Sequence, residues 1–239
     1  MNIPILGDNA RKGRRYDPDL ARRLNEEAAR EPVIIPVRAP EQITPASNIE
    51  GFRYIPSIGL NVSLERKFLN KNWRDAQTEA RNQGVAIPTP YQFREFLKYM
   101  RDSNNAEDKK VFKEITEVRN PWRSNWLNAR FEKKNGEMYM FSENVLENGK
   151  YVPQEQKLVD FLSENKTLGI SLYGWLNSNA PHGLPMQNVP SGDLYYWAPS
   201  NGTVARFLAG SDRANFYCGG YHDFTDASLG VFVCMEVPG

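Results

Sequence analysis

Asn70–Asp102 reads NKNWRDAQTEARNQGVAIPTPYQFREFLKYMRD, and its punctuation predicts two helices separated by a glycine and a Pro-Thr-Pro turn. Asn72 has the short polar side chain that accepts a first-turn amide at a helix start. Trp73, Ala76 and Ala80 follow on one face, and Gly84 supplies the left-handed residue that commonly closes a helix. Thr89-Pro90-Tyr91-Gln92 is a capping box with proline at the first helical position, where its missing N–H costs nothing. Phe93, Phe96, Leu97 and Met100 then fall at i, i+3, i+4 and i+7, a single apolar stripe.

Outward from this pair lie strands on one side and a further helix followed by strands on the other, and the expected fold class is α+β. A third helix is predicted over Ala106–Val118 with Val111, Ile115 and Val118 inward. On the N-terminal side, FRYIPSIGLNVSLE alternates apolar residues as strands do. On the C-terminal side, WLNARFEKKNGEMYMF predicts a hairpin whose Asn135-Gly136 pair suits two positive φ angles. Trp122 and Trp126 read as packing residues. From Gly169 onward the chain is rich in turns and aromatics, with no long element before a strand at Thr203–Leu208. The unbroken apolar run Leu229–Met235 predicts one final strand, covered on both faces. About twenty residues without periodicity separate those two strands, and loops of that length are usually functional.

Residues 1–50 differ from the domain-like stretch 51–239. Asp17-Pro18 starts a helix with a thin apolar stripe at Leu20 and Leu24, and a proline-punctuated arm containing PVIIPV follows. The cluster Arg11, Lys12, Arg14 and Arg15 is balanced by nearby acids and reads as a solvated tail. Oligomer formation, where it occurs, is expected through residues 1–50. The net charge of +1 gives no global field toward nucleic acid or membrane. No run of eighteen apolar residues is present, so no membrane span is expected. The N-terminus lacks the pattern of a secretory signal, leaving cytoplasm or a virion surface as the expected settings. Cys218 and Cys234 are expected as free thiols, and no Cys/His spacing predicts zinc.

The window Ala198–Cys234, APSNGTVARFLAGSDRANFYCGGYHDFTDASLGVFVC, contains no Lys, Glu, Gln, Met or Trp. Those types make up 48 of the 239 residues, so 37 positions would ordinarily hold about seven. Tyr, Ser, Gly and Asn fill the space, the composition of adaptable binding surfaces. Candidate ligand-binding residues are Ser211, Asp212, Asn215, Phe216, Tyr217, Tyr221, His222, Asp223, Phe224 and Asp226. No phosphate loop, nucleophile elbow or H-E-x-x-H motif occurs. His222–Asp223 is a weak candidate for base chemistry, since adjacent residues usually point apart, and Cys218–His222 a weak candidate for nucleophile chemistry, since each lies on a glycine-flanked loop. Asp212, Asp223 and Asp226 read as polar loop residues rather than calcium ligands. Only Arg206 and Arg213 are basic here, which argues against nucleic acid. No catalytic residue, metal or cofactor is expected.

Two segments together resemble a C-type-lectin-like fold of the kind shared with formylglycine-generating enzymes. The first is Trp73-x-x-Ala76, Gly84 and Ile87-Pro88-Thr89 leading into the Tyr91–Phe96 helix. The second is Trp197, a strand into Ala209-Gly210-Ser211, a polar–aromatic stretch, then Leu229-Gly230-Val231-Phe232. The latter resembles the variable proteins of diversity-generating retroelements, in which templated adenine mutagenesis cannot write Lys, Glu, Gln, Met or Trp. The resemblance covers 51–239 and implies a core of Trp73, Phe93, Phe96, Leu97, Val231 and Phe232 under a hypervariable surface at about 198–234. It implies a non-enzymatic receptor-binding or adsorption protein of a phage, virus or microbial host, facing an unknown protein or cell-surface ligand. The sugar-binding signatures of true lectins are missing. The 16-residue spacing of Cys218 and Cys234 also departs from the close pair of the oxidases. A formylglycine-generating-type oxidase or degenerate relative, and a structural virion component, are the alternative readings.

Overall fold

Helix start signals act locally, and those at Asn72 and Thr89 are realised in the computed structural model, which describes residues 49–237. Asn72 accepts from the Asp75 amide at 2.8 Å to open α1 (Trp73–Asn82), and Gly84 follows it with φ 71°. The Gln92 amide donates to Thr89 Oγ1, and the Thr89 amide donates to Gln92 Oε1, closing the capping box of α2 (Pro90–Asp102). α3 (Ala106–Thr116) buries Val111 and Ile115. Val118 does not point inward as expected: the helix ends before it, and the side chain is half exposed.

The remaining elements are β1 (Phe52–Ile55), β2 (Leu60–Ser63), β3 (Arg123–Lys134), β4 (Glu137–Glu147), β5 (Lys150–Lys157), β6 (Lys166–Ile170), α4 (Leu172–Leu176), β7 (Leu194–Trp197), β8 (Val204–Ala209), β9 (Ala214–Gly220), β10 (Leu229–Gly230) and β11 (Cys234–Glu236). The large sheet runs β5-β4-β3-β8-β9-β7-β6, with β10 paired to β3; the small one runs β1-β2-β11. Pairing is antiparallel except β7 with β9 and β3 with β10. The architecture is therefore mixed α+β. The β3–β4 hairpin turns on Asn135 and Gly136 at φ 51° and 85°, both in the left-handed region that a tight hairpin needs.

α2 lies against the large sheet through rings. Phe93 meets Phe207 at 5.6 Å between centroids, and Phe96 meets Phe232 at 5.4 Å. Trp175 of α4 stacks on Phe207 at 5.8 Å and reaches Phe216 at 5.1 Å. Trp73, Phe93, Phe96, Leu97, Val231 and Phe232 are all buried. Offset and tilted ring pairs of this kind add to the area that they remove from water.

Two expectations about the C-terminal third are corrected. Leu229–Met235 is not one strand. Leu229–Gly230 pairs with β3, Val231 bridges to Lys67, and Cys234–Glu236 pairs with β2. The run is apolar because it passes between both sheets, not because it occupies the centre of one. The twenty residues before it are not all loop either, since β9 sits between β8 and β7 in the large sheet. Its core-facing positions are Ala214, Phe216 and Cys218, and two of these three residue types carry little strand signal. The helix and arm expected within 1–48 lie outside the described residues.

Candidate functional site

Strand alternation divides the β8-β9-β7 region into two faces. Phe207, Phe216 and Tyr196 point into the core and are fully buried. The opposite face carries one row across four strands, because the register pairs Trp126 with Arg206, Arg206 with Tyr217, and Tyr217 with Trp197. At the usual strand spacing this row is roughly 14 Å long. Trp197 and Tyr217 are 5.6 Å apart between ring centroids. The Arg206 guanidinium lies 4.8 Å from the Tyr217 ring, 5.3 Å from Phe224, 5.5 Å from Trp126 and 5.6 Å from Trp122. Burial lowers the Arg206 pKa, against the raising influence of Tyr217 and Asp226. Beside the row, Arg213 lies over the Tyr195 ring at 4.6 Å and donates to the Gly192 carbonyl at 2.8 Å.

The loop after β9, residues 221–228, rises next to this row, and its backbone is held from outside. The Trp73 amide donates to the His222 carbonyl at 3.1 Å. The Ser228 carbonyl accepts from the Ser124 amide at 3.0 Å and from Arg66 Nη2 at 2.5 Å. The same Arg66 nitrogen donates to the Ser124 carbonyl, tying loop to strand. Burial, followed by the nearby Arg123 and Arg119 charges, pushes the Arg66 pKa down to about 10. Within the loop, the Ser228 amide donates to Asp226 Oδ1 at 2.7 Å and the Phe224 amide to the Tyr221 carbonyl at 3.3 Å. The side chains of Tyr221 and Phe224 remain 72% and 40% exposed.

The ten candidate residues do not form one patch. Ser211 and Asp212 are exposed on the β8–β9 turn, while Tyr221, His222, Asp223, Phe224 and Asp226 sit beyond the other end of β9. Seven residues of strand separate the groups, roughly 20 Å at the usual rise. Tyr217, half buried on the outer face, lies between them. Asn215 faces outward but is mostly covered, its Nδ2 donating to the Arg213 carbonyl at 3.0 Å. Phe216 is a correction: it is wholly buried among Trp175, Tyr196 and Phe207, because β9 turns it toward the core. His222 Nδ1 and Asp223 Oδ1 are 3.6 Å apart, too long for a hydrogen bond. Cys218 and Cys234 are buried free thiols; burial raises both pKa values, that of Cys234 to about 12.

Sequence reasoning missed Tyr195, Trp197 and Arg206 as members of this face. The alternation in LYYW and VARFLA was the available signal, but a partner strand is needed to show which parity faces out. His222 also reaches a groove of about 960 Å³ between α1 and β3–β5, where Gln77 and Asn144 meet Arg81, Arg130 and Tyr151. Among the described residues, no three His, Cys, Asp or Glu side chains are grouped to hold a metal ion. No described helix is long and apolar enough to cross a membrane. Comparison of the chain with known protein families, with curated proteins and with solved structures found no match.

Proposed function

We propose that this chain is a non-enzymatic ligand-binding protein. On this reading a C-type-lectin-like scaffold displays a surface diversified by a retroelement, for adsorption to a protein or cell-surface partner. The observation that carries the reading is how the loop 221–228 is held. Apart from the Leu229 amide on the Asp226 carbonyl, its external hydrogen bonds come from Trp73, Ser124 and Arg66, all outside the window that lacks Lys, Glu, Gln, Met and Trp, and the first two act through backbone amides. A backbone fixed by partners outside the window lets the loop side chains change without cost to its shape, which is what a display surface requires. The capped helices packed on largely antiparallel strands, with a long irregular run at 177–193, support the lectin-like half of the proposal. Exposed aromatic anchors such as Tyr221 and Phe224, among small polar neighbours, suit binding by a few buried rings.

The test is deep sequencing of the gene across one natural population. Variation should concentrate at Ser211, Asp212, Asn215, Tyr217, Tyr221, His222, Asp223, Phe224 and Asp226, and should spare Phe216, Gly230 and Phe232. Changes spread evenly over the chain, or rich in Lys and Glu within the window, would overturn the proposal.

A further inference from the structure

The Arg206 side chain is a partly buried cation without a counter-ion. Its Nε and Nη1 are buried and have no hydrogen-bond partner. Among the described residues it makes no ion pair. Asp226, the acid whose charge it senses, already accepts from the Ser228 amide. The four surrounding rings satisfy the faces of the guanidinium through their π clouds. They offer nothing to its rim, where the N–H groups point, and a guanidinium does not shed its charge to relieve this. The missing element is an in-plane acceptor.

We propose that Arg206 is a recognition residue for a carboxylate borne on an apolar or aromatic body, with the Phe224 ring as its displaceable cover. The inference rests on reading this face as a ligand-binding surface, but does not require the surface to be hypervariable. Of the four rings, Trp126 is buried and held by its indole N–H on the Lys71 carbonyl at 3.0 Å. Tyr217 is set by its strand. Phe224 is different: its ring is exposed, and its loop is anchored at the His222 and Ser228 carbonyls. The ring can therefore swing about χ1 while the loop stays in place. A carboxylate entering where the ring lay reaches the guanidinium rim in surroundings that strengthen a charge-assisted hydrogen bond. The apolar body of the ligand then rests on the Tyr217–Trp197 pair, which continues the same row. The chemistry fits an acidic side chain or chain terminus of a protein ligand lying next to an aromatic residue.

Benzoate is the probe, and benzamide, of similar shape and without charge, is its control. Titration of the full-length protein should give a saturable change in tryptophan fluorescence and a shift of the Arg206 Nε resonance with benzoate but not benzamide. Phe224→Ala should tighten benzoate binding several-fold by removing the cover. Arg206→Gln should abolish binding, and Arg206→Lys should weaken it about tenfold, since a compact ammonium does not reproduce the planar fork. Thermal melts establish that each variant is folded; if Arg206→Gln does not fold, the Lys variant and the Nε shift in the unaltered protein decide. An equal response to benzamide, undiminished binding by the folded Arg206 variants, or no saturable benzoate response even in Phe224→Ala would overturn the proposal. None of those results bears on population variability, which the sequencing experiment tests alone.

Discussion

A single imidazole shows how much of this fold depends on satisfied polar atoms rather than on apolar area alone. His182 is 1% exposed, accepts from the Leu184 amide at Nδ1 and meets the Val159 carbonyl at Nε2, so the partners fix a neutral Nε2–H tautomer. Burial lowers its pKa below the ordinary 6.5, aided by Arg94, while the Val159 hydrogen bond and Asp160 oppose the shift. With a folded-state pKa below the unfolded one, the unfolded chain takes up the proton first as pH falls. The contribution of His182 to stability is fully present above pH 6.5 and is lost between that value and the lower folded-state pKa. Melting temperature followed against pH should decline below 6.5 more steeply in the unaltered protein than in His182→Gln. Parallel curves would show that this histidine does not titrate with folding.

At the scale of elements, the docking of α2 depends on a close approach by the segment after α4. Gly183 has φ 76°, and a Cβ there would lie 2.2 Å from the Tyr91 nitrogen and 2.4 Å from the Pro90 carbonyl carbon. Both atoms are backbone of the first turn of α2, which cannot yield without moving the helix. The Gly183 carbonyl also accepts the Trp175 indole N–H at 2.8 Å, so displacing it disturbs the ring stack beneath the sheet. Gly183→Ala should cost about 3 kcal/mol or more, from overpacking combined with a left-handed backbone that alanine disfavours. Chemical denaturation gives the value directly, and a change below about 0.5 kcal/mol, typical of neutral surface positions, would show that α2 tolerates the displacement.

For the whole molecule, the informative contrast lies inside one stretch of sequence. Phe216 and Tyr221 are five positions apart in the same unusual window, yet one is wholly buried and the other 72% exposed. Phe216→Ser should cost about 4 kcal/mol or more, as loss of a core ring with a hydroxyl left in its place. Tyr221→Ser combined with Asp223→Ser should shift stability by no more than about 1 kcal/mol, the sum of two ordinary surface changes. Similar losses from both variants would place the loop in the core and remove the basis for regarding it as a display surface.

The helices were legible from sequence because their instructions are local. Asn72, Gly84 and the Thr89–Gln92 box act on groups no more than a few residues away, and the Asn135-Gly136 turn likewise carries its own geometry. The identity of β9 was not legible, since its Ala214, Cys218 and Gly220 become strand residues only through pairing with β7 and β8. The split of the final apolar run between two sheets was hidden for the same reason: burial makes a segment apolar whichever partners cover it. Composition alone marked 198–234 as unusual, but it could not assign sides. Only tertiary pairing turned Phe216 inward, set Tyr217 beside Trp197 and enclosed Arg206 in four rings, because strand parity has meaning only relative to a core assembled from distant parts of the chain.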